Sequence, residues 1–555
     1  MAQRRLELAL HASVVAAALV FITYRGYLFS WQFEQGQRWD RYAPGLQPGA
    51  VFGRRVDLSD IQWREFRAGL PALAALFLAA AAASRWLQQQ GATATARSRA
   101  YLLLSLAFLG YLHGACAALV LALALTSYAV AQLAAGHPYG AVAIWACNIG
   151  LLLAARLGDG FRFASLLPAL APLDGHRGAM RWEICFNLSV LRMLSYALDL
   201  HWRRRLGTSL QQRGGNRRST QPDPARVADP HSVASPSKAV CPTGPPSAAA
   251  LWRQQTPLPS EGEYGVLSYL AYVLYAPLYL AGPIITFQDF AWQLRQRSPP
   301  RARVILQYAA RLAADWACLE LLTRCLYFSS IAKHRIGLRY RQYGLQYGTT
   351  EMALTAFWVL CFMWLKFATI WRFMRLAALL DGIEPPENMK RCFANNYDIE
   401  GFWRGWHASY NRWLVRYMYV PLGGARRRAL VVWPIFFFVA LWHDLEWRLL
   451  SWAWLICLAF VPEMAAKQFA RSARFDTWRG TVAFRYMCAT AAALNIAALM
   501  AANLAGFVVG LDGVAGLLHE MLRSPGFVAA TLVTFFSAAN VMLALRDWEA
   551  AKQRA

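Results

Sequence analysis

Apolar residues recur along the chain in runs long enough to cross a bilayer, separated by polar, proline- and glycine-rich breaks. A hydrocarbon core takes about 20 residues of helix. The first run, residues 6–23, follows Arg4-Arg5 and has no small-residue cleavage site after it, so a retained membrane helix is expected rather than a signal peptide. Residues 31–69 are polar and aromatic with Pro44-Gly45 and Pro48-Gly49 as punctuation, which predicts a folded extramembrane loop. The run at 70–87 predicts a second span. Residues 101–135 are too long for one crossing and predict two helices or one long tilted one. A further span is predicted over 139–157, with Asn148 inside it.

The segment 181–202 carries Arg192, Ser195 and Asp199 at spacings that share a helix face, so Arg192 and Asp199 are expected to satisfy one another or a partner helix. Residues 203–262 break the pattern. They are rich in Arg, Gln, Ser, Pro and Gly and too poor in apolar side chains to offset chain entropy, so a disordered basic cytoplasmic loop is expected. The apolar pattern resumes at 264–290, where Pro277 and Gly282-Pro283 break the helix. Broken backbone at membrane depth persists only where protein or a wet cavity covers it. Runs at 302–330, 352–380, 431–441, 451–462, 482–510 and 527–545 complete the pattern. The expected architecture is all-α: a polytopic membrane protein of ten to twelve membrane segments. Residues 1–202 form N-terminal membrane helices, 263–546 a core, and 547–555 a charged tail.

Composition agrees with this picture. Of 555 residues 57% are hydrophobic, and the formal net charge is +26. The arginines cluster beside apolar runs, at Arg203-Arg204-Arg205 and Arg426-Arg427-Arg428 for example. The positive-inside rule and anionic head groups account for that arrangement, and no nucleic-acid partner is expected. The ten cysteines include no CxxC pair, so neither a zinc site nor a disulfide framework is indicated, and no metal is expected. Cys392 reads as a buried or unreactive thiol. Lys366 and Arg372 interrupt the run at 352–380; such cations either meet the phosphates of a ligand or snorkel to lipid phosphate.

The chemistry concentrates at 398–447. Two Trp-His pairs, Trp406-His407 and Trp442-His443, flank a basic-aromatic segment, a Pro-Leu-Gly-Gly turn and an apolar run, with the histidines 36 residues apart. A histidine ending an apolar run is costly unless it is wet, paired or working. The matching residues are Phe402-Trp403-Arg404, Trp406-His407, Asn411, the segment from Tyr417 to Gly424, and Trp442-His443. In these the stretch resembles the membrane-bound O-acyltransferase (MBOAT) family, in its Gup1-like branch near Hedgehog acyltransferase.

The resemblance implies an MBOAT fold around a central catalytic tunnel, with acyl-CoA as co-substrate. Acyl transfer from a thioester to a hydroxyl needs a base, donors for the oxyanion, and exclusion of water. A neutral imidazole, with an unperturbed pKa of ~6.5, suits the first task. His443 is the expected base, and His407 matches the second polar catalytic position. Arg404, Trp406, Asn411 and Trp442 are expected to contact substrate, and Lys366 and Arg372 to meet the CoA head group. No Gly-x-Ser-x-Gly nucleophile motif stands out, so direct transfer is expected rather than an acyl-enzyme. By analogy with the branch, the acceptor is the sn-2 hydroxyl of a lyso-GPI anchor lipid in the endoplasmic reticulum, with membrane lipids and GPI-anchored protein as partners. Protein acylation of the Hedgehog acyltransferase type, or glycerol transport, are the alternatives. The reading requires positions 407 and 443 to share one cavity.

Overall fold

The computed structural model describes residues 2–36, 43–49, 53–158, 161–215, 259–296 and 300–554. Its longer helices are α1 (Ala2–Glu34), α2 (Ile61–Gln89), α3 (Ala94–His113), α4 (Ala117–Ala134), α5 (Gly140–Leu157), α6 (Trp182–Gly215), α7 (Ala302–Cys325) and α8 (Thr349–Leu380). Two short helices follow, α9 (Ile399–Gly405) and α10 (Ala408–Leu414). The chain then continues through α11 (Arg428–His443), α12 (Trp447–Ala470), α13 (Val482–Phe507), α14 (Gly510–Leu522) and α15 (Pro525–Arg554). Of the loop expected over 203–262, residues 216–258 lie outside the described residues, and α6 runs through its first part.

The fold is the expected all-helical one, and among the described residues eight stretches are long and apolar enough to cross a membrane, with 94–134 counted as one. Other apolar runs fall outside that count for physical reasons. At 16 residues, α11 is only about 24 Å long at 1.5 Å per residue. Helix α7 carries Arg303, Arg311, Asp315, Glu320 and Arg324. The run at 264–290 breaks into short helices at Val266–Val273, Ala276–Tyr279 and Phe287–Arg295. The long run at 94–134 is two helices, divided by a tight turn at Gly114–Cys116. Gly114 sits at φ 56°, and a Cβ there would lie 2.2 Å from the His176 carbonyl oxygen, so only glycine fits.

The broken segment is the buried centre of the molecule, and α6 satisfies much of it. The Arg192 guanidinium donates to the carbonyl of Val273 (3.0 Å), which Pro277 leaves without its helical donor, and to the carbonyl of Leu278. Ser195 Oγ accepts from Phe287 N at 2.9 Å, and Ser409 Oγ from Ile284 N at 2.8 Å. Tyr272 donates its hydroxyl to the Ile285 carbonyl at 2.7 Å. Asp199 pairs with Arg416 at 2.8 Å and accepts from the Tyr417 hydroxyl at 3.1 Å. Arg192 and Asp199 therefore each serve a partner segment, as one of the two sequence-based alternatives required.

The loop after α1 holds a two-residue antiparallel ribbon, Leu46–Gln47 against Val56–Asp57, with Leu46 opposite Asp57. Asp57 accepts from Ser330 N at 2.8 Å, and Lys333 donates to the Ser59 carbonyl at 2.6 Å, which docks the ribbon on the helix at Phe328–Lys333. The chain ends meet: α1 packs against α15, with Arg4 paired to Asp547 at 3.1 Å and His11 bonded to Ser537 at 3.1 Å.

Candidate active site

The signature stretch folds as a sequence of breaks. Helix α9 begins on α12: buried Glu463 accepts from Ile399 N at 2.6 Å and from Glu400 N at 3.4 Å. It stops at Trp406, and His407 then takes the left-handed conformation, φ 47° and ψ 44°. A non-glycine residue rarely sits there, and the strain costs about 1–3 kcal/mol. Asn388 holds the turn, accepting from Ala408 N on its carbonyl (2.9 Å) and from Ser409 N on its side chain (3.1 Å). After α10 the chain makes a π-helical turn at Val415–Tyr419. Gly423 and Gly424, at φ 113° and 54°, then supply the reversal into α11, whose last residue is His443.

Those breaks bring the two Trp-His pairs together. The His407 ring stacks on Trp371 of α8, 4.5 Å between centroids and 15° from parallel, with Tyr410 at 5.0 Å and Trp442 at 6.0 Å. Trp442 is fixed to α6 by a reciprocal pair: its Nε1 donates to the Asn187 carbonyl at 2.8 Å, and Asn187 Nδ2 donates to the Trp442 carbonyl at 2.6 Å. The His443 ring lies against Phe507 at 5.8 Å and Trp452 at 6.2 Å. Arg156 at the end of α5 donates to the His443 carbonyl at 3.1 Å.

Both histidines line one cavity of about 1020 Å³, walled by α1, α8, α11, α13, α14 and α15 and mainly apolar. Trp406 and Trp442 line it too. On α8 a stripe through Ala353, Leu360, Phe367 and Trp371 faces it; Lys366, off that stripe, also lines the cavity and is paired with Asp60 at 2.8 Å. Three expected contacts fall elsewhere. On α9, Phe402, Trp403 and Trp406 take the cavity face, while Arg404 is exposed and pairs with Glu400. Asn411 is one residue beyond the lining Tyr410 and is not in the wall. Arg372, one residue beyond Trp371, pairs with Asp315 and donates to the Met389 carbonyl at 3.4 Å. In each case the residue next along the helix owns the inward direction, which a contiguous motif cannot reveal. Arg156, Asn187 and Trp371 went unmarked in the sequence because their partners are far away in the chain; the one local signal is the four-residue spacing of Phe367 and Trp371 beside Lys366.

Comparison with known proteins decides the family. The model for MBOAT, the membrane-bound O-acyltransferase family, matches residues 144–509. The chain belongs to this family. It is 34% identical over 524 residues to the membrane-bound O-acyltransferase GUP1 of Saccharomyces cerevisiae, covering 92% of this chain and 86% of the relative. It is 32% identical over 512 residues to the gup1 protein of Schizosaccharomyces pombe, covering 90% and 82%. The protein-cysteine N-palmitoyltransferase HHAT of Mus musculus is more distant, 26% identical over 232 residues, 40% of this chain and 44% of that one. This MBOAT protein is thus a multi-pass membrane acyltransferase.

Proposed function

We propose that this acyltransferase moves a fatty acyl group from acyl-CoA to a lipid hydroxyl, with His443 as general base and His407 as the second polar group of the site. The observation that carries this reading is that both signature histidines line a single apolar cavity. In the reaction, neutral His443 takes the proton of the acceptor hydroxyl as its oxygen attacks the thioester carbonyl. A C–O bond forms, the C–S bond breaks, and the CoA thiolate leaves and recovers the proton. His407 orients the acceptor or polarises the carbonyl. Trp406 and Trp442 shape the wall around the reacting atoms and help keep water out.

For the acceptor, likeness to the Gup1 branch favours the sn-2 hydroxyl of lyso-GPI anchor lipids, and with it an endoplasmic reticulum location. A lipid acceptor also suits a cavity bounded by membrane helices. Likeness to a protein-cysteine N-palmitoyltransferase supports a second reading, in which the acceptor is a protein. The deciding experiment supplies the purified protein in nanodiscs with palmitoyl-CoA and lysophosphatidylinositol. Wild type is expected to form diacyl product and His443→Ala to lose at least a hundredfold in rate, within the usual worth of a general base. A fully active His443→Ala protein would overturn the mechanism. Cells lacking the protein should accumulate lyso-GPI species in lipid mass spectra; unchanged anchors would redirect the acceptor to protein.

A further inference from the structure

Among the described residues two cations line the cavity, Lys366 and Arg156, and they differ in how fully they are used. Lys366 Nζ bonds Asp60 Oδ2 at 2.8 Å and lies 4.8 Å from the centre of the Phe367 ring, while the other Asp60 oxygen caps α2 at Trp63 N. That pair pins α2 to α8 and leaves the ammonium occupied. Arg156 is different. One guanidinium nitrogen, Nη2, donates to the His443 carbonyl at 3.1 Å. Nη1 stands 3.5 Å from Asp444 Oδ1, an oxygen that already accepts from Leu445 N at 2.8 Å. Nε is buried with no hydrogen-bond partner among the described residues. A guanidinium has five N–H groups in a planar fork suited to two oxygens of one phosphate. An under-used cation in an apolar membrane cavity is costly unless it serves a ligand. The Asp444 carboxylate is 45% exposed against 18% for Arg156, so the weak partner is also the one free to move aside.

We infer that Arg156 is a phosphate-binding residue of the acyl-transfer site, with Asp444 as the carboxylate that a substrate phosphate displaces. The inference rests on the cavity being the substrate site. Its geometry joins recognition to chemistry: the same guanidinium that meets the phosphate holds the backbone of His443. Two substrates carry phosphate, a lysophospholipid acceptor in its head group and acyl-CoA in its nucleotide.

Equilibrium binding distinguishes them without turnover, so the result does not depend on which residue acts as base. The probes are lysophosphatidylinositol, its phosphate-free counterpart monopalmitoylglycerol, palmitoyl-CoA, and its phosphate-free counterpart palmitoyl-pantetheine, each with the full-length protein in nanodiscs. Arg156→Gln is expected to weaken one phosphate-bearing probe about tenfold or more while its phosphate-free counterpart binds as to wild type. Loss confined to lysophosphatidylinositol assigns the contact to the acceptor; loss confined to palmitoyl-CoA assigns it to the donor. Asp444→Asn keeps the His443 carbonyl contact and removes the competitor, so it is expected to tighten the same probe. The inference is overturned if Arg156→Gln binds both phosphate probes like wild type, if it weakens phosphate-free probes equally, or if Asp444→Asn fails to tighten either one.

Discussion

His407 occupies a backbone conformation that its side chain does not favour, and its imidazole is clamped flat against Trp371. The two features are separable by substitution. Asparagine tolerates the left-handed region better than most residues. His407→Asn is therefore expected to keep the wild-type melting temperature while losing at least a hundredfold in turnover. His407→Val is expected to destabilise the protein by about 1–3 kcal/mol through backbone strain. Equal melting of the two variants would remove strain from the account. Trp371→Leu should leave His407 in place but less tightly oriented, with kcat/KM falling about two- to tenfold, since aromatic stacking of this kind contributes about 0.5–1.5 kcal/mol. The histidines themselves were legible in the sequence because each ends a local pattern, Trp-His at 406–407 and again at the close of an apolar run. Trp371 was not: nothing near it in sequence says which residue its ring will cover.

At the scale of elements, breaks matter as much as helices. Apolar runs marked the helices well, and Pro277 and Gly282-Pro283 marked the interruption in the buried segment. What holds that interruption open came only from the fold, because Arg192 and Ser195 reach carbonyls and amides some 80 to 90 residues away. The π-helical turn at 415–419 likewise has no sequence signal, since its residues are ordinary helix formers and aromatics. The ribbon between α1 and α2 has an anchor with a testable charge state. Burial raises the Asp57 carboxyl to about 6 from its ordinary 3.8, despite the amides of Ser59 and Ser330 that favour its charged form. A folded-state pKa above the unfolded one means that the protonated form is the better fit. Asp57 thus contributes stability that is fully present below about pH 4 and is lost as pH rises through about 6, a change of about 2–3 kcal/mol. Thermal unfolding of wild type in nanodiscs is expected to show this loss between about pH 4 and pH 6.5 and no further change from it above that, and Asp57→Asn should flatten it. A flat wild-type profile would place the carboxylate in a wetter site than the fold indicates.

Across the whole molecule, the cavity is made by the two ends of the chain closing on its middle. The signature stretch supplies the histidines, but α1 contributes Ala18 and Ile22 to the wall, and α15 contributes Ala530, Thr534 and Ala538. The small residues among these, Ala18, Ala530, Thr534 and Ala538, leave room, and the pairs Arg4–Asp547 and Glu7–Arg485 fasten the helices that carry them. If this wall bounds the acyl chain, its small residues set the length accepted. Ala538→Trp adds an indole to the cavity without touching either histidine, Arg156 or the pairs that fasten the ends. Palmitoyl-CoA turnover is expected to fall tenfold or more, because forcing bulk into a filled site costs about 1–3 kcal/mol. Octanoyl-CoA, which leaves more of the cavity empty, should keep a rate within about twofold of wild type. Competition between the two donors in one reaction, read by product mass, measures the ratio directly. An equal loss for both donors would mean that α15 supports the site without bounding the chain; an unchanged ratio at full activity would move the acyl channel to the opposite wall, along α8.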